Sequence, residues 1–262
     1  MCRHCASFPA GPVGLSRRSF HKGALAAAMS PACVSVGNDP VEPAMRLVVP
    51  DGAARTVALT LDACSGGTDM RIIETLTGLA VPATIFVTGL WLRANRPAAA
   101  VCLARPDLFT LQNHGDRHVP PVLGTRLVYG LAVAGTLAAV EREVTLGAEA
   151  IVAAGGVRPN WYRGATGRYS PTAMAAIEAM GYRIAGYSLS ADEGASLPAA
   201  SVSRRIAASR NGEVILAHVN HPHRPSGAGV AAGMAELRRA GVVFVGLDTV
   251  PVTAPMQCAA RI

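Results

Sequence analysis

The chain has 262 residues, of which 50% are hydrophobic and 16% charged, and its formal net charge is +7. This hydrophobicity excludes a disordered protein, and the length fits one large domain or two small ones. Beyond residue 40 the positive charges form no Lys/Arg run, which argues against nucleic-acid binding. The single lysine, Lys22, excludes lysine Schiff-base chemistry from the folded domain.

The first predicted element is an export signal with its linker, residues 1–40. Residues 16–22 read Ser-Arg-Arg-Ser-Phe-His-Lys, and a short alanine-rich apolar stretch follows, from Gly23 to Val36. A charged segment before a short apolar segment is the layout of a cleavable signal, and the Arg pair resembles the twin-arginine motif. We therefore predict export in the folded state by the twin-arginine machinery, a periplasmic or extracellular location, and a single catalytic domain at residues 41–262.

Cysteine spacing and apolar runs limit what this domain can be. Cys64, Cys102 and Cys258 lie beyond the signal without CxxC spacing, which allows one disulfide and argues against a cysteine zinc site. The best candidate for a membrane span, Leu127–Val140, has only 14 uncharged residues, whereas a span needs about 20. We predict a buried amphipathic helix there and no stable membrane span.

From residue 57 onwards, β-rich runs alternate with helical patterns. The predicted strands are Val57–Leu61, Thr84–Val87, Phe109–Leu111, Asn160–Arg163, Ile184–Leu189, Glu213–Ala217 and Val242–Gly246. The predicted helices follow the first strand from Met70 to Leu79 and then occupy residues 131–153, 171–180, 201–209 and 228–240. This alternation predicts an α/β fold with a parallel sheet or barrel, and seven strands are one short of an eightfold barrel.

Polar residues follow the predicted strands at their carboxyl ends, where such folds place their chemistry. Asp62 ends the first strand, and Asp69 follows a Gly-Gly turn. Asp69 is equally compatible with a helix cap and with a metal ligand. His114 and His118 follow the third strand, and two histidines four residues apart can reach one zinc ion if the segment turns helically.

Three further strand ends carry residues suited to catalysis. Arg163 ends the fourth strand and could orient a carboxylate through a charge-assisted pair. Asp192 follows the fifth strand. His218 ends the sixth strand, where a histidine opposite a carboxylate suits general acid–base catalysis. His221 and His223 are interpreted as residues of a surface loop.

These residues resemble the motifs of the polysaccharide deacetylase family, the NodB-type carbohydrate esterases of family 4, over residues 55–250. Thr60-Leu61-Asp62-Ala63-Cys64 resembles the motif Thr-Phe-Asp-Asp-Gly in its first Asp only. His114 and His118 match His-Ser/Thr-x-x-His, with Gly115 in place of the hydroxyl residue. Arg163 represents Arg-x-Pro-Tyr without its proline, Asp192 stands near the fourth motif, and Leu216-Ala217-His218 matches Leu-x-His.

The resemblance implies a distorted (β/α) barrel, often with seven parallel strands, and a divalent metal, predicted to be Zn²⁺. It implies Asp62 as catalytic base, His218 as acid, Arg163 and Asp192 as their partners, and His114 and His118 as metal ligands. Ala63 stands where the family has its metal-binding carboxylate. We predict Asp69 as the replacement ligand; the competing version has Asp62 bind the metal and leaves the base unassigned.

The implied reaction is removal of acetyl groups from the N-acetylated sugars of a glycan. An O-acetyl esterase could use the same residues, and a sugar-binding pseudoenzyme is a different class that Ala63 favours. Trp91, Trp161 and Tyr169 are compatible with sugar stacking, although each fits an ordinary core position. A dinucleotide site at Gly227–Gly233 is disfavoured because its last glycine comes one residue late, so we interpret this run as the start of a helix.

Overall fold

The computed structural model describes residues 39–253 together with the backbone of residues 256–259. The predicted export signal, including Arg17 and Arg18, therefore lies outside the described residues. Among the helices of the described part, none is both long and apolar enough to cross a membrane.

Strands and helices alternate along the described chain, with a short 3₁₀ turn at Ala165–Gly167. The strands are β1 (Val41–Ala44), β2 (Thr56–Ala63), β3 (Ala83–Val87), β4 (Phe109–Asn113), β5 (Leu127–Val128), β6 (Leu131–Ala132), β7 (Trp161–Tyr162), β8 (Arg183–Ile184), β9 (Leu189–Ser190), β10 (Val214–His218), β11 (Val243–Phe244) and β12 (Met256–Ala259). The helices are α1 (Met70–Gly78), α2 (Gly89–Ala94), α3 (Arg96–Leu103), α4 (Leu137–Ala153), α5 (Pro171–Ala179), α6 (Ala199–Ala207) and α7 (Ser226–Arg239).

The central sheet is parallel and follows the order β8-β7-β4-β3-β2-β10-β9, with β11 paired to the first two residues of β2. The seven strands of the main path curl into half a barrel within a single domain. β1 and β12 form a separate antiparallel pair, and β5 and β6 form a small hairpin. The predicted α/β class and distorted barrel with seven parallel strands are confirmed.

The central strand β2 is buried on both faces, and its two faces have different partners. Leu59, Leu61 and Ala63 belong to the main core cluster, which also contains residues of α1, α3 and α7. Because side chains alternate along a strand, Thr60 and Asp62 lie on the opposite face, where both contact Arg163. The strand therefore directs Asp62 and Ala63 to different sides of the sheet.

The predicted strand Ile184–Leu189 is two strands at opposite ends of the sheet path. β8 pairs with β7, whereas β9 pairs with β10 on the far side. The chain between them spans the gap between the two sheet edges, and the carbonyls of Ala185 and Gly186 accept hydrogen bonds from Arg163. This non-local pairing leaves no signal in the local periodicity of the sequence.

The predicted buried helix at Leu127–Val140 is wrong up to Thr136, and only its last four residues are helical. The β5–β6 hairpin turns at Tyr129 and Gly130, which both have positive φ (49° and 80°), as a two-residue hairpin turn requires. Tyr129 is 72% exposed. The helix α4 begins only after Thr136, whose hydroxyl accepts a hydrogen bond from the Ala139 amide.

Candidate active site

The carboxyl ends of neighbouring strands bring several predicted residues to one edge of the sheet. Asp62 near the end of β2 lies opposite His218 at the end of β10. His114 directly follows β4, Arg163 directly follows β7, and these two strands pair through their last residues. The rule that parallel sheets present their chemistry at strand ends therefore holds for this molecule.

Arg163 is 1% exposed, and its guanidinium is held from several sides. Nη1 donates to Asp62 Oδ1 and to Thr60 Oγ1, both at 2.9 Å, and Nη2 donates to the Gly186 carbonyl at 3.0 Å. The guanidinium carbon lies 4.3 Å from the centre of the Phe86 ring. This buried charge is paired and hydrogen-bonded, so it holds the Asp62 carboxylate in one orientation.

Asp62 is an ionised carboxylate in this environment. Burial alone would raise the pKa of Asp62, but the charge of Arg163, with further contributions from His114 and His218, outweighs burial and lowers it. Because Arg163 occupies Oδ1, Oδ2 is the oxygen available to accept a proton, and it lies 3.8 Å from His114 Nε2.

His218 is paired with Asp192, which is completely buried. Asp192 Oδ1 lies 2.9 Å from His218 Nδ1, and Oδ2 accepts the His218 backbone N–H at 2.7 Å. Burial lowers the pKa of His218, but hydrogen bonding to Asp192, and then to Cys64, outweighs it and raises the pKa well above its ordinary value. Nδ1 carries a proton toward Asp192, which leaves Nε2 for proton transfer.

His114 and His118 come together through a bend, not through the helical turn that the sequence analysis required. Gly115 and His118 have positive φ (87° and 63°), and the two imidazole centres lie 5.0 Å apart. His114 Nδ1 lies 2.6 Å from the carbonyl oxygen of Arg163. Since a carbonyl only accepts, Nδ1 carries a proton, which leaves Nε2 as the ring nitrogen placed to bind a metal.

The buried Glu143 of α4 holds this histidine segment in place. Its Oε1 accepts the backbone N–H groups of Arg117 and Val119 at 2.8 and 3.1 Å. A Cβ at Gly115 would lie 2.4 Å from the same oxygen. The Glu143 carboxylate therefore occupies the space that a side chain at position 115 would need.

Cys64 joins the two histidines in a group of metal-ligating side chains. The ligand atoms of Cys64, His114 and His118 all lie within 4.8 Å of one another, and Cys64 Sγ is 3.5 Å from His114 Nε2. Burial raises the pKa of the Cys64 thiol, but the charge and hydrogen bond of His114 outweigh burial, and the pKa falls well below its ordinary value. Three such donors fit a divalent metal with an open position.

Asp69 does not belong to this group. Its side chain caps α1 by accepting the Arg71 backbone N–H at 3.2 Å, and the Arg71 guanidinium binds both carboxylate oxygens at 2.8 and 2.6 Å. A Cβ at Gly227 would almost overlap one of these oxygens. In the structure Asp69 is therefore a helix cap, and its side chain is not part of the Cys64, His114 and His118 group.

A cavity of about 550 Å³ opens above these side chains. Five of the predicted site residues line it: Asp62, His114, His118, Arg163 and His218. Asp192 lies behind His218, and Asp69 is outside. The rest of the wall includes Cys64 and residues suited to binding a polar ligand, among them Glu42, Tyr129, Tyr187, Ser190 and Glu193.

Comparison with known proteins identifies this architecture. The sequence model of the family described as "Polysaccharide deacetylase" matches residues 50–185, just over half of the chain. The chain belongs to the polysaccharide deacetylase family. Among curated proteins, a search found no match to this chain.

Solved structures similar to this chain share its fold at low sequence identity. A family 4 carbohydrate esterase from Streptomyces lividans is 20% identical, with a TM-score of 0.60 over 78% of this chain and 100% of the other. The peptidoglycan deacetylase PdaC from Bacillus subtilis is 20% identical, with a TM-score of 0.60 over 76% and 91%. A family 4 pseudoenzyme from Bacillus anthracis is 16% identical, with a TM-score of 0.61 over 74% and 64%.

Sequence reasoning missed two contributors to the cavity and its walls. Cys64 was set aside because it lacks CxxC spacing; its position directly after Asp62-Ala63 at a strand end was the available signal. Glu143 lies in the middle of α4, 24 or more residues from the segment it holds, and no local pattern marks it.

Other sequence interpretations have structural outcomes as well. Trp91, Trp161 and Tyr169 are buried core residues and do not line the cavity. His223 is exposed and His221 half-buried, in the loop before α7. The glycine-rich run begins α7, as predicted; a Cβ at Gly229 would lie 2.4 Å from the Ala199 carbonyl, so glycine serves the close packing of α6 on α7.

Proposed function

We propose that this protein is a metal-dependent hydrolase that removes acetyl groups from the N-acetylated sugars of a polysaccharide or oligosaccharide. The observation that carries the proposal is that one cavity joins three units. These are a carboxylate held by an arginine, a histidine held by an aspartate, and a histidine pair whose ligand atoms lie close together beside Cys64. Similarity in fold to a peptidoglycan deacetylase and a carbohydrate esterase supports the substrate class.

His114 and His118 would hold the metal, together with a third donor from a nearby segment of the same chain. When bound there, a divalent ion such as zinc lowers the pKa of water towards 7 and polarises an acetyl carbonyl. The Arg163 carbonyl orients the His114 ring, and Glu143 keeps the His118 backbone in its bend. Such partners are part of the affinity of a metal site.

Asp62 acts as the general base. Its pKa is lowered, so it is ionised at neutral pH, and Arg163 fixes one oxygen while the other is available. Asp62 takes the proton from the attacking water as the oxygen adds to the acetyl carbonyl. A base positioned in this way contributes about 10²–10⁴-fold to the rate.

His218 acts as the general acid. Its raised pKa keeps it protonated, and Asp192 fixes its ring from Nδ1. His218 Nε2 faces the cavity side and gives its proton to the departing sugar nitrogen as the carbon–nitrogen bond breaks. The products are acetate and the free amino sugar.

Two alternatives share the cavity. An O-acetyl esterase would use the same base and acid on a sugar oxygen. A carbohydrate-binding pseudoenzyme is favoured by Ala63, which offers no ligand atom, and by the fold similarity to the Bacillus anthracis pseudoenzyme.

The twin-arginine-type leader supports export in the folded state to the periplasm or the cell exterior, where a glycan substrate is accessible.

The discriminating experiment measures acetate release from matched substrates. The zinc-loaded protein is incubated with N-acetylated chito-oligosaccharides, with peptidoglycan and with O-acetylated xylan. We expect acetate from an N-acetylated substrate. Release from xylan alone would establish the esterase, and saturable sugar binding without any acetate would establish the pseudoenzyme.

A further inference from the structure

The third metal ligand is the open question of this cavity, because catalytic zinc normally has three protein ligands and two histidines supply only two. Ala63 carries no donor atom and packs in the main core cluster, on the face of β2 opposite Asp62. A ligand at position 63 is therefore excluded by both chemistry and direction.

The two aspartates considered from sequence have other roles. Asp62 gives one oxygen to Arg163, and its other oxygen, 3.8 Å from His114 Nε2, is the base of the proposed mechanism. Asp62 is not part of the group whose ligand atoms lie within 4.8 Å of one another. Asp69 gives both oxygens to Arg71 at the start of α1. Neither carboxylate completes the histidine pair.

Cys64 is positioned to do so. Its backbone is tied down at the end of β2, since the Thr88 hydroxyl donates to the Cys64 carbonyl and the Thr88 amide donates to the Ala63 carbonyl at 3.2 Å. Its Sγ faces His114 Nε2 at 3.5 Å. A tetrahedral zinc ion with Zn–S of about 2.3 Å and Zn–N of about 2.05 Å separates these atoms by about 3.6 Å. The observed separation of 3.5 Å, a hydrogen-bond contact in this structure, matches the spacing of two ligands of one ion.

We propose that Cys64 is the third metal ligand and binds as a thiolate beside His114 and His118. The ligand assignment rests on the proposed function, because it presupposes that the site binds a metal, and it adds the identity of the third ligand. A donor set of one thiolate and two imidazoles favours zinc or cobalt, whereas carboxylate and water ligands suit manganese and magnesium. The chain therefore selects Zn²⁺ or Co²⁺ over Mn²⁺ and Mg²⁺, and its thiol loses its proton on metal binding.

The test is spectroscopic and does not depend on activity. The metal-free full chain, kept reduced, is titrated with Co²⁺, and thiolate-to-cobalt charge-transfer absorption is recorded in the near ultraviolet. We expect this absorption in the natural protein and in Cys102→Ala, a control that removes a buried thiol of α3 away from the cavity. Cys64→Ala should lose it and bind zinc at least about 100-fold more weakly, beyond the usual effect of an outer partner.

Cys64→Asp keeps the inference falsifiable if the alanine variant folds poorly. We expect it to bind cobalt without the charge-transfer absorption and to gain affinity for Mn²⁺ relative to Zn²⁺. Cobalt binding without this absorption in the natural protein would overturn the proposal, as would undiminished zinc affinity in folded Cys64→Ala. Acetate release distinguishes the two claims: absorption without release contradicts only the proposed function, and release by zinc-loaded Cys64→Ala with full affinity contradicts only the ligand assignment.

Discussion

The cavity has two sides that differ in how closely the residues follow the family motifs. The acid–base side consists of Asp62 with Arg163 and His218 with Asp192, and each reacting group has a buried charged partner. The ligand side consists of Cys64, His114 and His118. On the first side the expected pairs are present, whereas on the second a carboxylate is replaced by alanine and a thiol lies within reach.

This difference teaches that the two sides are constrained by different physics. A buried carboxylate–guanidinium pair is costly to dismantle, because removing one partner leaves an unpaired buried charge worth about 3–5 kcal/mol. A metal requires a sufficient number of donors in a suitable geometry, and these can come from neighbouring positions of the chain. The ligand side can therefore change its donors while the acid–base side keeps its pairs.

The largest expected effect separates the two sides directly. Asp62→Asn should lower kcat/KM by about 10²–10⁴-fold, because the general base is lost. Zinc content, measured by elemental analysis, should stay near that of the natural protein. Asp69→Asn is the matched control, and we expect it to keep both zinc and activity. Loss of zinc from Asp62→Asn, with zinc retained in Asp69→Asn, would instead show that Asp62 binds the metal.

A pH profile sharpens the acid–base side. His218 must be protonated to act as the acid, so activity falls as the pH rises through its pKa, which Asp192 helps to raise. Asp192→Asn removes that charge, lowers the pKa of His218 and should move the alkaline limb of kcat/KM to lower pH. An unchanged alkaline limb would show that another group titrates there.

Gly115→Ala tests the support of the ligand side. The new methyl group would meet Glu143, and the backbone is held at φ 87°, so we expect a stability loss of about 1–3 kcal/mol in denaturant unfolding. Gly155→Ala has the same type of backbone (φ 94°) with open space for a methyl group. A larger loss of stability in Gly115→Ala than in Gly155→Ala, together with weaker zinc binding, would show that the contact with Glu143 supports the histidine segment. Equal losses of stability in the two variants would contradict that role of Glu143.

The smallest expected effect is at the cavity mouth. Tyr129 is exposed, lines the cavity and accepts a hydrogen bond from Arg168 at 2.9 Å. If a sugar packs on this ring, Tyr129→Ala should raise KM by about 2–10-fold with little change in kcat, as expected for a stacking contact. Tyr129→Phe keeps the ring and should retain the natural KM. Equal kinetics in all three proteins would place the sugar elsewhere.

Much of the fold was predictable because it depends on local patterns. Apolar runs in the sequence indicated the strands that end near Asp62, His114 and His218. An apolar face indicated the helix after Asp69. The split of Ile184–Leu189 into β8 and β9 depends on pairing with opposite edges of the sheet, which no local pattern records. The β5–β6 hairpin was missed because its uncharged residues are compatible with a helix until Tyr129-Gly130 is recognised as a turn.

The candidate site was predictable only where its residues are marked by local patterns in the sequence. Six predicted residues lie at or after strand ends, and their positions in the sequence indicated a shared edge: Asp62, Arg163, Asp192, His114, His118 and His218. Asp69 has the same local signature as a ligand and as a helix cap, and only the position of Arg71 decides between them. Cys64 carried only a strand-end signal in the sequence, and its closeness to His114 depends on how the fold places the end of β2 beside the His114 segment.

The measurement that tests the central claim most directly is the metal dependence of acetate release in one preparation of the protein. The purified chain is stripped with a chelator, assayed on the N-acetylated glycan it cleaves best, and assayed again as zinc is added. We expect activity to vanish on stripping and to return in proportion to zinc, reaching its maximum at about one equivalent per chain. Full activity in the stripped protein, or none in the fully zinc-loaded protein on any acetylated glycan, would contradict a metal-dependent deacetylase.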